Sequence, residues 1–156
     1  MSHEQRLAEL GITLPEVAAP VAAYVPAVQT GRYVYTSGQL PFAEGTLQAT
    51  GKVGEGEGLV SPDDAAGYAR TCALNALAAV RSITGSLDSI SRIVKVVGFV
   101  ASDPSFTGQP GVVNGASQVL GEIFGEAGVH ARSAVGVAVL PLDSPVEVEL
   151  VVELAD

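Results

Sequence analysis

The chain has a single cysteine, Cys72, and that alone rules out a disulfide within it. Such usage fits a reducing compartment, and a cytoplasmic location is the expectation. Histidine is almost as scarce. His3, His130 and Cys72 make no metal-ligand spacing, so no metal is expected. Basic residues number 8 against 17 acidic ones, a formal charge of −9, and they are scattered. Phosphate binding needs clustered Lys and Arg, so no nucleic-acid partner is expected. No apolar run approaches the roughly 18 residues of a membrane span, so no membrane is expected either. The opening MSHEQRLAEL is polar and amphipathic, unlike the basic start and apolar core of a secretory signal. Gly-rich phosphate loops, internal repeats and a Ser-His-Asp arrangement are also missing.

What remains is small and apolar. The 156 residues are 47% hydrophobic and 16% charged, with a mean hydropathy of +0.36. Residues 1–156 read as one domain, with 1–18 as an N-terminal extension. So few charges leave too little polar surface to cover an isolated subunit, which points to a homo-oligomer.

The pattern of elements is legible in outline. Residues 3–10 read as a short helix ended by Gly11 and Pro15. A strand Val21–Val28, a Thr30-Gly31 turn and a strand Tyr33–Ser37 read as a hairpin. Phe42 to Pro62 has no sustained period and reads as a loop with at most one short strand. Ser61-Pro62-Asp63-Asp64 starts a helix, with a capping serine, proline in the first turn and acids at the positive end. It should run to Ile83 and stop at Gly85, burying Ala65, Ala69, Cys72, Ala73, Ala76, Leu77 and Val80. A buried strand Ile93–Val100, a helix Val112–Glu126 and two further strands complete the order β-β-α-β-α-β-β. The fold class is α+β, with two helices packed on one mixed sheet.

The last two strands carry the most information. Arg132 to Leu140 is apolar after its first two residues, and Val146 to Glu153 alternates aliphatics with Glu147 and Glu149. The two read as a hairpin. An arginine entering a greasy strand beside carboxylates must be paired or bound to something. Arg132 is therefore either a ligand clamp or half of an internal ion pair with Glu147 or Glu149.

Tyr-Thr-Ser-Gly-Gln-Leu-Pro at 35–41, Val113-Asn114, Ala131-Arg132-Ser133 and Leu140-Pro141 with Val146-Glu147-Val148 occur in an order that resembles one family. That is the Rid (reactive intermediate deaminase, YjgF-like) family, also called L-PSP endoribonucleases. The similarity runs from Tyr24 to Glu153. It implies a chorismate-mutase-like fold assembled as a homotrimeric barrel, with ligand sites in clefts between subunits. It also implies hydrolysis of reactive enamines and imines such as 2-aminoacrylate to 2-keto acids and ammonia, without metal or organic cofactor. The partner would be a small carboxylate-bearing metabolite. The loop 43–60 and the N-terminus are longer than the archetype's, as in a divergent branch.

On that resemblance, Arg132 binds the substrate carboxylate through its planar fork. Glu147 deprotonates the attacking water or protonates the enamine carbon; otherwise it belongs to a solvated strand face. Gly38 lets the backbone approach the ligand, or is a plain turn glycine. Ala134 faces the same side as Arg132, where archetypal members carry cysteine. Tyr24 walls the pocket or is simply packed. Asn114 orients the ligand or Arg132, or else caps the second helix. Phe106 is a minor candidate for the rim. His130 replaces the family's proline or small residue; it perturbs the site, acts as a second acid/base, or is a loop histidine. A binding protein that captures a keto or amino acid without turnover is the alternative. A ribonuclease is the weakest reading, because of the acidic charge.

Overall fold

The computed structural model describes residues 1–17 and 23–156. The first two residues of the expected strand Val21–Val28, and Ala18 of the expected extension, lie outside them. The chain begins with α1, His3–Glu9. Its capping box pairs the Ser2 hydroxyl with the Gln5 amide and the Gln5 side chain with the Ser2 amide. Then come β1 (Ala27–Thr30), β2 (Tyr33–Thr36), β3 (Phe42–Ala43), β4 (Thr46–Leu47) and α2 (Pro62–Thr84). The order continues with β5 (Ile90–Ala101), α3 (Gln109–Phe124), β6 (Ala131–Val137) and β7 (Val146–Leu154).

The main sheet has five strands in the order β1-β2-β7-β5-β6, and it is mixed. β5 runs parallel to β6 and antiparallel to β7. α2 and α3 cover one face, and α1 leans on α3 and buries Leu7. Among the described residues the two helices expected on the sheet are α2 and α3, and the short helix expected at 3–10 is α1, which lies on a helix. No helix among the described residues is long and apolar enough to cross a membrane.

Local chemistry explains the helices. Ser61 Oγ accepts from the Asp64 amide, and Gly85 closes α2 in the left-handed region at φ 80°. Every residue of the expected apolar stripe of α2 is fully buried. α2 and α3 approach closely because Gly115 has no side chain: a Cβ there would strike the Ala66 carbonyl. β7 alternates as read, with Val146, Val148, Leu150, Val152 and Leu154 buried toward the helices.

Four expectations change. The C-terminal hairpin does not form, because β5 lies between β6 and β7. With twelve residues, apolar on both faces, β5 takes the central place; α3 is the crossover that lets β6 join it in parallel. β6 also stops at Val137 rather than Leu140. The chain then makes a turn at Pro141–Asp143 in which Leu142 and Asp143 both take φ 58°. α3 starts at Gln109 and stops at Phe124, so Asn114 sits inside it and the cap position belongs to Gly108. The reading of Asn114 as a cap is thus incorrect. β1 begins only at Ala27.

Loop 43–60 holds a two-strand ribbon, β3 with β4, rather than one strand. Beyond it the chain is tied down across the end of β5. Val53 is fully buried, its amide donates to Ala101 O at 2.7 Å, and its carbonyl accepts from Asp103 N at 2.9 Å. Lys52 Nζ reaches Asp143 at 2.8 Å.

Candidate functional site

Register decides where the expected site residues point. In β5, Val96 pairs with Arg132 on one side and Leu150 on the other, and Val96 and Leu150 are buried against the helices. Arg132 therefore faces the helices. Phe99 pairs with Glu147 and Val135, and this odd-numbered set faces the uncovered side of the sheet. Arg132 and Glu147 sit on opposite faces.

The helix-side group gathers around Arg132 at the edge strand. Nη1 donates to Asn114 Oδ1 at 2.8 Å and to Ser117 Oγ at 3.2 Å, and Nη2 donates to the Pro110 carbonyl at 3.4 Å. All three partners come from α3. Among the described residues no carboxylate lies within ion-pair distance of Arg132. The internal ion pair with Glu147 or Glu149 is thus absent, and register explains why. Nε–H and one Nη2–H remain without a partner among the described residues, and they lie on one edge of the guanidinium. Ala134, paired with Gly98 and packed against the core, faces the same side one step along.

Ser117 was not legible as part of this group. Its spacing from Asn114, three residues on one helix, puts the two on one face and was the available signal. His130 joins the group through it: Nε2 lies 2.9 Å from Ser117 Oγ, and Nδ1 lies 2.6 Å from the Gly128 carbonyl.

The second group lies on the uncovered face. Glu147 folds over Gly38, where a Cβ would collide with the carboxylate oxygen Oε1. Gly38 follows β2, where Gln39 bridges Val148 through Gln39 N–Val148 O at 2.8 Å and Val148 N–Gln39 O at 3.0 Å. The Gly38 amide has no backbone acceptor among the described residues. Burial pushes the Glu147 carboxyl above its ordinary value, and repulsion from Glu149 adds to the shift. Tyr24 precedes the segment that meets the end of β2. It is 52% exposed, and the two residues after it hold Ser37, through Ser37 Oγ–Val25 O at 2.6 Å and Ser37 N–Pro26 O at 2.8 Å. It is not simply packed.

Other candidates take plain roles. Cys72 is fully buried on α2, and burial first, then the nearby Glu147 charge, pushes its thiol well up. Phe106 packs partly against the core. Among the described residues no three His, Cys, Asp or Glu side chains could hold a metal. A groove of about 370 Å³ on the uncovered face runs past Tyr33, Arg92, His130 and Glu153, and it includes neither Arg132 nor Glu147.

The chain as a whole is similar to known proteins. The family described as YjgF/chorismate mutase-like, candidate endoribonucleases, matches residues 4–154. Protein TCP17 of Trypanosoma cruzi is 44% identical over 95% of this chain and 91% of its own length. A candidate endoribonuclease from Shewanella oneidensis has a structure similar at a TM-score of 0.93, with 36% identity over 99% of this chain and all of that one. The structure of E. coli TdcF with bound serine is similar at a TM-score of 0.64, with 26% identity over 92% of this chain and 96% of that one.

Proposed function

Because the chain belongs to the YjgF/chorismate mutase-like family, we propose that it hydrolyses reactive 2-imino and enamine acids to 2-keto acids and ammonia. The observation that carries this reading is the state of Arg132. It is braced at Nη1 by Asn114 and Ser117, no acid neutralises it among the described residues, and one edge of its fork is open. Two N–H groups on that edge match a carboxylate in a way a lysine cannot. Serine, bound in the E. coli relative, is a small carboxylate-bearing molecule of this kind.

The chemistry asks little of the protein. An enamine acid takes a proton at C3 and becomes the imine. Water adds to C2 and gives a carbinolamine. The C2–N bond then breaks, and nitrogen leaves as ammonia with the proton it has gained. The C2 hydroxyl becomes the carbonyl by releasing its own proton to solvent, which balances the one taken up at C3. Glu147 takes the proton from the attacking water and returns it to the leaving nitrogen. Its raised pKa suits both transfers better than an ordinary glutamate's would. The Gly38 amide donates to the substrate as charge shifts onto oxygen. Arg132 fixes the carboxylate so that water and C2 meet in a productive geometry.

Both groups are needed, yet one chain holds them on opposite faces. A site therefore forms where Glu147, Gly38 and Tyr24 of one copy meet Arg132, Asn114 and Ala134 of the next. The uncovered sheet face supports such an assembly. Val28, Tyr33, Tyr35 and Val135 are each between 41% and 53% exposed on it, an apolar surface that further copies would bury in a homotrimer.

Arg132→Ala should abolish keto-acid release from freshly generated 2-iminopropanoate while the oligomer stays intact by sedimentation. Unchanged release in that variant overturns the reading. Capture of a keto or amino acid without turnover is the second reading. It is favoured by one observation: the grip on Arg132 is complete within a single chain, whereas Glu147 points away. Keto-acid binding by calorimetry, with no hydrolysis above the buffer rate, would decide for it.

A further inference from the structure

The hydrogen bonds behind Arg132 form a chain with a fixed direction. The Gly128 carbonyl can only accept, so His130 Nδ1, 2.6 Å away, carries a proton. A neutral imidazole then has a bare Nε2, which accepts from the Ser117 hydroxyl at 2.9 Å. With its single proton committed to His130, Ser117 Oγ offers lone pairs to Arg132 Nη1 at 3.2 Å. The second Nη1 proton goes to Asn114 Oδ1. Both protons of one nitrogen are thereby spoken for, and the guanidinium plane is set with its opposite edge outward.

We propose that His130 and Ser117 are positioning residues that set the Arg132 guanidinium for bidentate capture of a carboxylate. Neither touches the substrate. A serine inside a helix can turn its hydroxyl back to a carbonyl four residues earlier. The imidazole draws it away from that bond and orients its oxygen at the arginine. Because His130 is only two residues before Arg132 on the chain and Ser117 is on α3, the relay also ties the start of β6 to the helix. It builds part of the grip from residues outside the motif that the sequence shares with its family.

This proposal rests on the carboxylate reading of Arg132, and the test separates the two. The long-range ¹H–¹⁵N spectrum of the intact oligomer should show His130 as the Nδ1-protonated tautomer; an Nε2-protonated ring overturns the relay. Calorimetry with pyruvate should show binding weakened roughly tenfold in Ser117→Ala and in His130→Ala, the scale of one lost hydrogen bond to a charged group. His130→Gln, which keeps an acceptor in reach of Ser117, should recover most of that loss. With 2-iminopropanoate the loss should fall on KM more than on kcat, which a merely folded-state role would not produce. Binding and KM equal to wild type in both alanine variants overturn the relay and leave the deaminase reading standing. Relay-dependent pyruvate binding without turnover does the reverse. A wild-type protein that binds no pyruvate overturns both.

Discussion

Arg132 and Glu147 flank the same central strand and point away from each other: Arg132 pairs with Val96 on the helix side, Glu147 with Phe99 on the uncovered side. On the proposed reading a single chain supplies two half-sites rather than one. Arg132 is held by α3 at the outer edge strand, and the carboxylate that would handle protons stands on the far side of β5, on the other face. On that reading the chemistry requires oligomerisation, and variants in the two halves should behave differently.

Replacing Arg132 by lysine keeps the charge and removes the fork. Loss of the two-point grip should lower kcat/KM by roughly two orders of magnitude, with the fold unaffected. Steady-state rates with 2-iminopropanoate, set beside circular dichroism, measure both. An activity within a few-fold of wild type would mean that charge alone suffices.

Gly38→Ala places a Cβ against the Glu147 carboxylate. The obstacle is the end of a flexible side chain, so Glu147 can swing aside and the fold should survive with little change in Tm. The displaced carboxylate should cost most of the activity. A fully active Gly38→Ala protein would remove Glu147 from the proton-transferring role.

Gly115→Ala is the contrasting case. The new Cβ meets the Ala66 backbone carbonyl, which cannot step aside, so α2 and α3 must part. Overpacking of this kind costs about 1–3 kcal/mol, read as a lower denaturant midpoint. No change in midpoint would show that the helices can part without cost.

Glu147 couples function and stability with opposite signs. Its carboxyl is raised above the ordinary glutamate value of 4.5, by burial first and by Glu149 second. Folding therefore favours the protonated form. The penalty is absent below the unfolded value and develops as pH rises through the interval between 4.5 and the raised value. Glu147→Gln should be more thermostable than wild type at pH 7 and equal to it at acid pH, while losing turnover. Turnover of the wild type should fall as the medium is acidified through the raised value, since the base must be ionised. Glu149→Gln removes the repulsion and should move that acid limb to lower pH. A limb that stays in place would assign it to another group.

The sequence was legible where the physics is local. Ser61, Pro62 and the two acids that follow mark the start of α2, and alternation in Val146–Glu153 tells which residues of β7 turn inward. Strand neighbours were not legible. A short turn between Leu140 and Val146 looks like a hairpin, and only the length and two-sided apolarity of β5 place it in between. Which face Arg132 and Glu147 occupy depends on their pairing with β5, and that was not legible. Ser117 escaped notice because a lone helix serine carries no signal until Arg132 is known to reach α3.

The most direct test is to mix the two half-sites. Arg132→Ala and Glu147→Gln chains, each expected to be inactive alone, can be co-expressed so that they assemble together. If every site takes its arginine from one copy and its glutamate from the next, random assembly restores intact sites at about one in four. Release of keto acid from 2-iminopropanoate at about that fraction of the wild-type rate is the expected result. Mixed oligomers as inactive as their parents would contradict a site shared between copies.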